Sequence, residues 1–159
     1  MNSTPRRAFG STDQPRRSDV SLDLTTARKM LPLVRQIVGD ILAHRQTLNR
    51  LQPEQENLDR HRRDLVWQER QRRYYVTETI EATEKALAAA LKELRGLGVN
   101  LTDSATGEVE FPTRINGKSA SFQWRAGEDD LHYWHYADED GRRPIPQDWA
   151  ASQPVAQHS

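Results

Sequence analysis

The chain has 159 residues, and its 23 Lys and Arg balance 23 Asp and Glu to no formal net charge. That length bounds it to one domain, and the balance removes the basic excess that usually marks a dedicated nucleic-acid binder. The lack of cysteine excludes disulfides, thiol catalysis and thiolate metal sites together. No apolar run approaches the ~20 residues a membrane-spanning helix needs. Met1–Asp19 carries arginines without a following apolar stretch, so it does not read as a secretory signal. A cytoplasmic protein that does not contact membrane is expected.

Residues 1–21 and 147–159 are rich in Ser, Pro, Gln and Arg or Asp, with little to bury. They are predicted as a disordered arm and tail around one α+β domain over 22–146. A helix begins at Leu24, with Thr25 or Thr26 as the expected N-cap. Leu31, Val34, Val38, Ile41 and Leu48 recur at helical spacing, and Leu33, Ile37 and Leu42 widen the stripe. Pro32 predicts a kink or a short leading turn, and Pro53 predicts the end of this helix near Leu51. A second helical pattern follows through Val76, Ile80, Thr83, Leu87, Ala90 and Leu94 in a coiled-coil rhythm, and Gly96 and Gly98 supply its stop. No breaker stands between Glu54 and Arg95, so the start of that helix is open. Together the two patterns predict an antiparallel helical hairpin over 24–96.

After Gly98 the period changes to two. Val99–Leu101, Glu108–Phe111, Ser119–Arg125 and Leu131–Tyr136 read as short strands of a β-meander over 99–137. Asn116-Gly117 is the signature of a type I′ hairpin turn. In the third strand Ala120, Phe122 and Trp124 share one face and should meet the helices, while Ser121, Gln123 and Arg125 should meet solvent or a partner. The predicted fold is therefore α+β: a long antiparallel helical hairpin packed on a small three- to four-stranded antiparallel sheet.

These residues carry a resemblance. The opening Leu24-Thr25-Thr26-Ala27 with Leu31-Pro32-Leu33-Val34-Arg35-Gln36-Ile37 resembles the start of the DUF2203 family of small prokaryotic proteins. So do Leu91–Pro112, with Gly98-Val99, Asp103, Gly107 and Glu110-Phe111-Pro112, and Trp124–Glu128 with Leu131, Trp134-His135 and Gly141–Ile145. Gln123 stands where this family often has Cys, and Thr102 where Lys is usual. The resemblance implies no activity, so any chemistry rests on the residues.

Two regions offer candidate sites. Around the Gly127 turn, Arg125, Glu128, His135 and Arg142 could gather into a small anion pocket walled by Trp124 or Trp134. The alternative is that Arg125 and Glu128 form an ion pair bracing the hairpin, worth about 0.5 kcal/mol when exposed. His132 and His135 suggest a metal, but residues three apart on a strand face opposite ways, so no metal site and no cofactor is predicted. No nucleophile motif, phosphate-binding glycine loop or spaced carboxylate pair is present, and enzyme activity finds no support in the residues.

The second region is Arg60-His61-Arg62-Arg63 with Arg70, Arg72 and Arg73, interleaved with Trp67, Tyr74 and Tyr75. Arginines with aromatics suit RNA or a ribosomal surface. Asp59, Asp64 and Glu69 also interleave there, at spacings that allow local ion pairs on a solvated face. Trp67 fits such a face worst, because an indole on a mostly charged helix usually covers something, either the neighbouring helix or another protein. Trp67, Arg63, Arg70, Arg73 and Tyr74 are therefore the candidate interaction surface. A homodimer through the helices, using Leu33, Ile37 and Leu42, is the expected assembly, and an unknown protein partner is the other use of such a surface. The leading expectation is a non-catalytic interaction module. An anion- or metal-binding protein or enzyme centred on Arg125, Glu128 and His135 is the alternative.

Overall fold

The computed structural model describes residues 21–149, so the predicted arm and tail lie outside it except at residues 21 and 147–149. Among the described residues, two helices precede a five-stranded antiparallel sheet: α1 (Leu24–Arg60), α2 (Trp67–Gly96), β1 (Asn100–Asp103), β2 (Glu108–Ile115), β3 (Lys118–Arg125), β4 (Tyr133–Tyr136) and β5 (Arg143–Pro144). Sheet order follows chain order. The helical hairpin and the meander are as predicted. The sheet has one strand more than expected, because the two-residue β5 is too short to show a period.

Both helix ends on α1 differ from expectation. Its cap is Asp23, whose carboxylate accepts the Thr26 N–H at 2.8 Å, and not Thr25 or Thr26. Pro32 and Pro53 both lie inside the helix, which neither ends at Leu51 nor gives a separate leading turn. A proline removes one backbone donor, a cost that tertiary contacts can offset. Beyond Pro53 such contacts exist. Glu54 accepts Arg72 at 2.6 and 2.8 Å, Gln55 donates to Thr77, and Asp59 accepts Arg73 at 2.7 Å. The chain then turns at 61–66 without a glycine or proline. Glu69 reaches back to the Val66 N–H at 3.1 Å and starts α2.

The core lies between the first half of α1, the end of α2 and one face of the sheet. Leu24, Ala27, Leu31, Val34, Val38 and Ile41 meet Val109, Phe111, Phe122, Trp124 and Leu131, with Leu94 and Val99 closing one side. At 37 residues α1 is about 55 Å long, whereas five strands span about 20 Å. The hairpin therefore runs past the sheet. Its far half has a separate small core of Leu48, Leu51, Val76 and Ile80. Of the three residues expected to serve a dimer, Ile37 is buried and Leu42 packs on the main core, which leaves Leu33 facing out.

Turn chemistry fixes the sheet register. Asn116 and Gly117 both have positive φ, as a type I′ turn requires, and this sets Glu108 opposite Arg125 and Glu110 opposite Gln123. Gly107 has φ +74°, and a Cβ there would stand 2.9 Å from the Ala126 Cβ and 3.0 Å from Val38. Only glycine lets the β1–β2 turn approach α1 this closely. Pro112 lies within β2, where its carbonyl accepts Leu22 N–H at 2.8 Å beyond the end of β1. Its missing N–H points to that same side, so the sheet loses no ladder bond.

Candidate functional site

Alternation along β2, β3 and β4 sends a second set of side chains to the face away from the helices. Glu108, Glu110, Ser121, Gln123, Arg125, Tyr133 and His135 lie there, and Arg142, just before β5, joins them. Ser121, Gln123 and His135 are nevertheless buried, because their long polar neighbours close over one another.

Most of these groups form one closed circuit. Gln123 donates from Nε2 to Glu108, and its Oε1 accepts from Arg142 Nε. Arg142 Nη2 donates to both Glu128 oxygens at 3.1 Å. Glu128 also accepts the Arg125 N–H at 2.9 Å, and the Arg125 guanidinium returns to Glu108 at 3.1 and 3.3 Å. Arg142 lies over the Tyr133 ring at 3.9 Å, a cation–π contact. Two guanidiniums thus meet two carboxylates, and the circuit is neutral. The predicted gathering of Arg125, Glu128 and Arg142 exists, but Glu108 and Glu128 already occupy the place of an incoming anion. The Arg125 guanidinium braces the hairpin through Glu108, while Glu128 is tied to Arg125 through its backbone N–H.

His135 is on the same face but in a different pairing. Its Nε2 lies 2.9 Å from Glu110 Oε2, and its Nδ1 lies 2.7 Å from the carbonyl of Tyr136. Both neighbours are oxygens, so each ring nitrogen already has a partner. With both nitrogens engaged, His135 has none left to activate the Ser121 hydroxyl across the strand. The two tryptophans are elsewhere. Trp124 is wholly buried on the helix-facing side, where its Nε1 donates to the Glu128 carbonyl at 2.8 Å. Trp134 packs beneath Arg143 and against Trp149, which sits on a short 3₁₀ turn at Gln147–Trp149. Neither walls the outer face. His132 turns to Asp129 at 2.8 Å and does not converge with His135. Among the described residues no group of three or more His, Asp or Glu is placed to hold a metal ion.

Beside the Glu110–His135 pair the outer face is hollow, with a volume of about 320 Å³ lined by Glu110, Ser121, His135, Arg114, Asp140 and neighbouring polar residues. Its mouth includes Glu139, which the hydrogen bonds from Arg143 hold below the usual carboxylate range. Glu110, Ser121 and Asp140 had no motif to mark them. Two of the three could have been placed from the Asn-Gly turn, which fixes the β2–β3 register.

The far end of the hairpin is built differently. Arg72 and Arg73 pair with Glu54 and Asp59 of the other helix, and Arg70 donates to the Leu65 carbonyl at 2.9 Å. The expected local ion pairs are thus interhelical. Hydrogen bonds from Arg72 hold Glu54 below the usual carboxylate range. The Arg62 and Arg63 side chains have no partner among the described residues. The aromatics stay outside: Trp67 is 61% exposed, Tyr74 65% and Tyr75 55%. At 100° per residue, Trp67, Tyr74, Glu78, Glu81, Ala82, Lys85 and Ala88 form one stripe. The buried Val76, Ile80, Thr83 and Leu94 lie on the opposite side of α2, against α1.

No helix among the described residues is long and apolar enough to cross a membrane. No curated protein and no solved structure matches this chain. A family model does, over residues 22–145, which is nearly all of the described fold. The chain belongs to the DUF2203 family, described as an uncharacterized conserved protein family.

Proposed function

We propose that this protein is a cytoplasmic, non-catalytic self-association module, and that its contact surface is the outward stripe of α2. The observation that carries this reading is the exposure of Trp67 and Tyr74, about two turns apart on the same face of α2. An exposed indole and phenol next to arginine are the residues that dominate protein contacts. The stripe is also self-complementary. Its first half is bulky and basic, with Trp67, Arg70 and Tyr74. Its second half is small and acidic, with Glu78, Glu81, Ala82 and Ala88 around a shallow hollow.

Two copies packed antiparallel about a two-fold axis near Tyr74 and Tyr75 bring unlike halves together. Trp67 of one copy then fills the alanine hollow of the other, and Arg70 meets Glu81. Ion pairs and a large aromatic placed in a small-residue hollow favour this arrangement over a parallel one, which would set like charges together. RNA is less well suited to the same region. Arg72 and Arg73 are already neutralised by Glu54 and Asp59, which leaves few arginines of the tip segment with free charge for a phosphate backbone.

The experiment is light scattering on the full chain and on Trp67→Ala across a range of concentrations. The reading predicts a dimeric mass for the parent and a monomeric mass for the variant, with equal helical content. A parent that is monomeric at every concentration would overturn it.

A further inference from the structure

We infer that the hollow on the outer face of the sheet is a binding site for a small molecule carrying a protonated amine. This stands apart from self-association, since it rests on the sheet and not on α2. The size is right for one small ligand, because ligand pockets begin at about 300 Å³ and this one holds about 320 Å³.

The floor is built from groups that accept hydrogen bonds. Ser121 is 8% exposed, and its hydroxyl has no partner among the described residues. Strand alternation points it outward, and it lines the hollow. The hydroxyl is not sealed inside the core but open to the hollow, so it is available to hydrogen-bond a ligand. Next to it Glu110 uses Oε2 for His135, while its Oε1 accepts no hydrogen bond from the described residues. The Glu110 side chain is 15% exposed, which leaves that oxygen to the hollow. Asp140 at the mouth has no partner among the described residues either. Glu139 beside it is neutralised by Arg143.

A carboxylate oxygen, a hydroxyl and a second carboxylate around one hollow match a group with several N–H donors and a positive charge. A primary ammonium has three such donors and one charge. A metal ion fits less well. Among the described residues no three His, Asp or Glu converge, and both His135 nitrogens are already engaged by Glu110 and Tyr136. Arg114 also lines the hollow, but its guanidinium is held by the Gly117 carbonyl, and an anion would still meet Glu110 and Asp140 as like charges.

The test titrates the full chain with ethanolamine and with 1,4-diaminobutane, followed by amide NMR, with acetate as the anionic control. Saturable shifts at Ser121 and His135 are expected with at least one amine, at an apparent Kd on the order of 1 mM or tighter. Acetate should leave those resonances in place. Glu110→Gln should remove saturable binding. Ser121→Ala should weaken it about threefold to tenfold, the loss of one hydrogen bond, with melting unchanged. This second variant decides the matter even where Glu110→Gln fails to fold. The site is overturned if neither amine gives saturable shifts up to about 20 mM or if both variants bind as the parent does. Shifts at the same residues with acetate overturn the assignment to amines.

Discussion

The two halves of the helical hairpin are made of the same kind of sequence and live under different rules. The near half of α1 is covered by the sheet and shares a large core with Phe111, Phe122 and Trp124. The far half has a small cluster of Leu48, Leu51, Val76 and Ile80, with Leu58 and Leu65 buried apart from it, and otherwise relies on interhelical pairs such as Arg72–Glu54 and Arg73–Asp59. Those pairs are largely exposed, and pairs of that kind contribute about 0–1 kcal/mol each. The near half is thus held by burial, while the far half is marginal alone and leaves its aromatics outside. A helix pair that extends past its own sheet, with Trp67 and Tyr74 in solvent, is incomplete in a way the sheet-covered half is not.

Mutations sharpen this contrast. The largest effect is expected from Trp124→Ala, which empties the centre of the main core and should cost about 3–5 kcal/mol in denaturant unfolding. Gly107→Ala comes next, at about 2–4 kcal/mol, because it adds positive-φ strain to a clash with Ala126 and Val38. Gly117→Ala tests that explanation. It shares the positive φ, at +76°, but a Cβ there meets nothing within 4 Å, so the loss should be nearer to 1 kcal/mol. Val76→Ala in the small far core should cost about 1–2 kcal/mol. Its distinguishing sign is local, since hydrogen exchange should quicken in the far half and stay unchanged in the sheet. If exchange quickens uniformly, the two halves unfold as one and the contrast fails.

Acid should act on the surface pairs of both regions. Arg72, His132 and Arg143 lower the Glu54, Asp129 and Glu139 carboxyls, and two backbone N–H groups lower Asp103. A carboxyl that titrates lower when folded stabilises the fold above its unfolded pKa, and that contribution disappears as pH falls through the folded value. Melting temperature should therefore be flat near neutrality and begin to fall below about pH 4.5, the ordinary value for Glu54 and Glu139. Replacing Glu54 and Glu139 by Gln should flatten that fall. A fall that begins well above pH 5 would place its cause in other groups.

Much of this architecture is legible in the residues. The 3.6-residue stripe on each helix, the change to period two after Gly98 and the Asn116-Gly117 turn lead to the hairpin and the meander. That turn even fixes which β2 and β3 residues face each other, so the Glu108–Arg125 pair follows from it. The rest depends on contacts that local pattern does not encode. Pro53 reads as a stop, but Glu54, Gln55 and Asp59 find partners on α2 that carry the helix past it. The 61–66 turn has no glycine or proline to announce it. The β3–β4 connection is irregular and tied to α1 by Arg28 and Arg35, which donate to the Leu131 and Asp129 carbonyls. The pairing of Glu110 with His135, set by that connection, has no signature along the chain. Trp67, from its neighbours alone, could cover the other helix or meet another protein, and the fold leaves it outside because it lies on the face of α2 opposite Val76 and Ile80.

The smallest expected change in stability is at the α2 stripe, where substitutions should stay within about 0.5 kcal/mol while altering assembly. The most direct test of self-association through this stripe is a charge exchange read by sedimentation equilibrium. Arg70→Glu and Glu81→Arg each set like charges together in the antiparallel dimer, and each variant alone should sediment as a monomer. The double variant carries the exchanged pair in both copies and should regain the dimeric mass. If the single variants keep the mass of the parent, or the double variant stays monomeric, antiparallel pairing through α2 is contradicted.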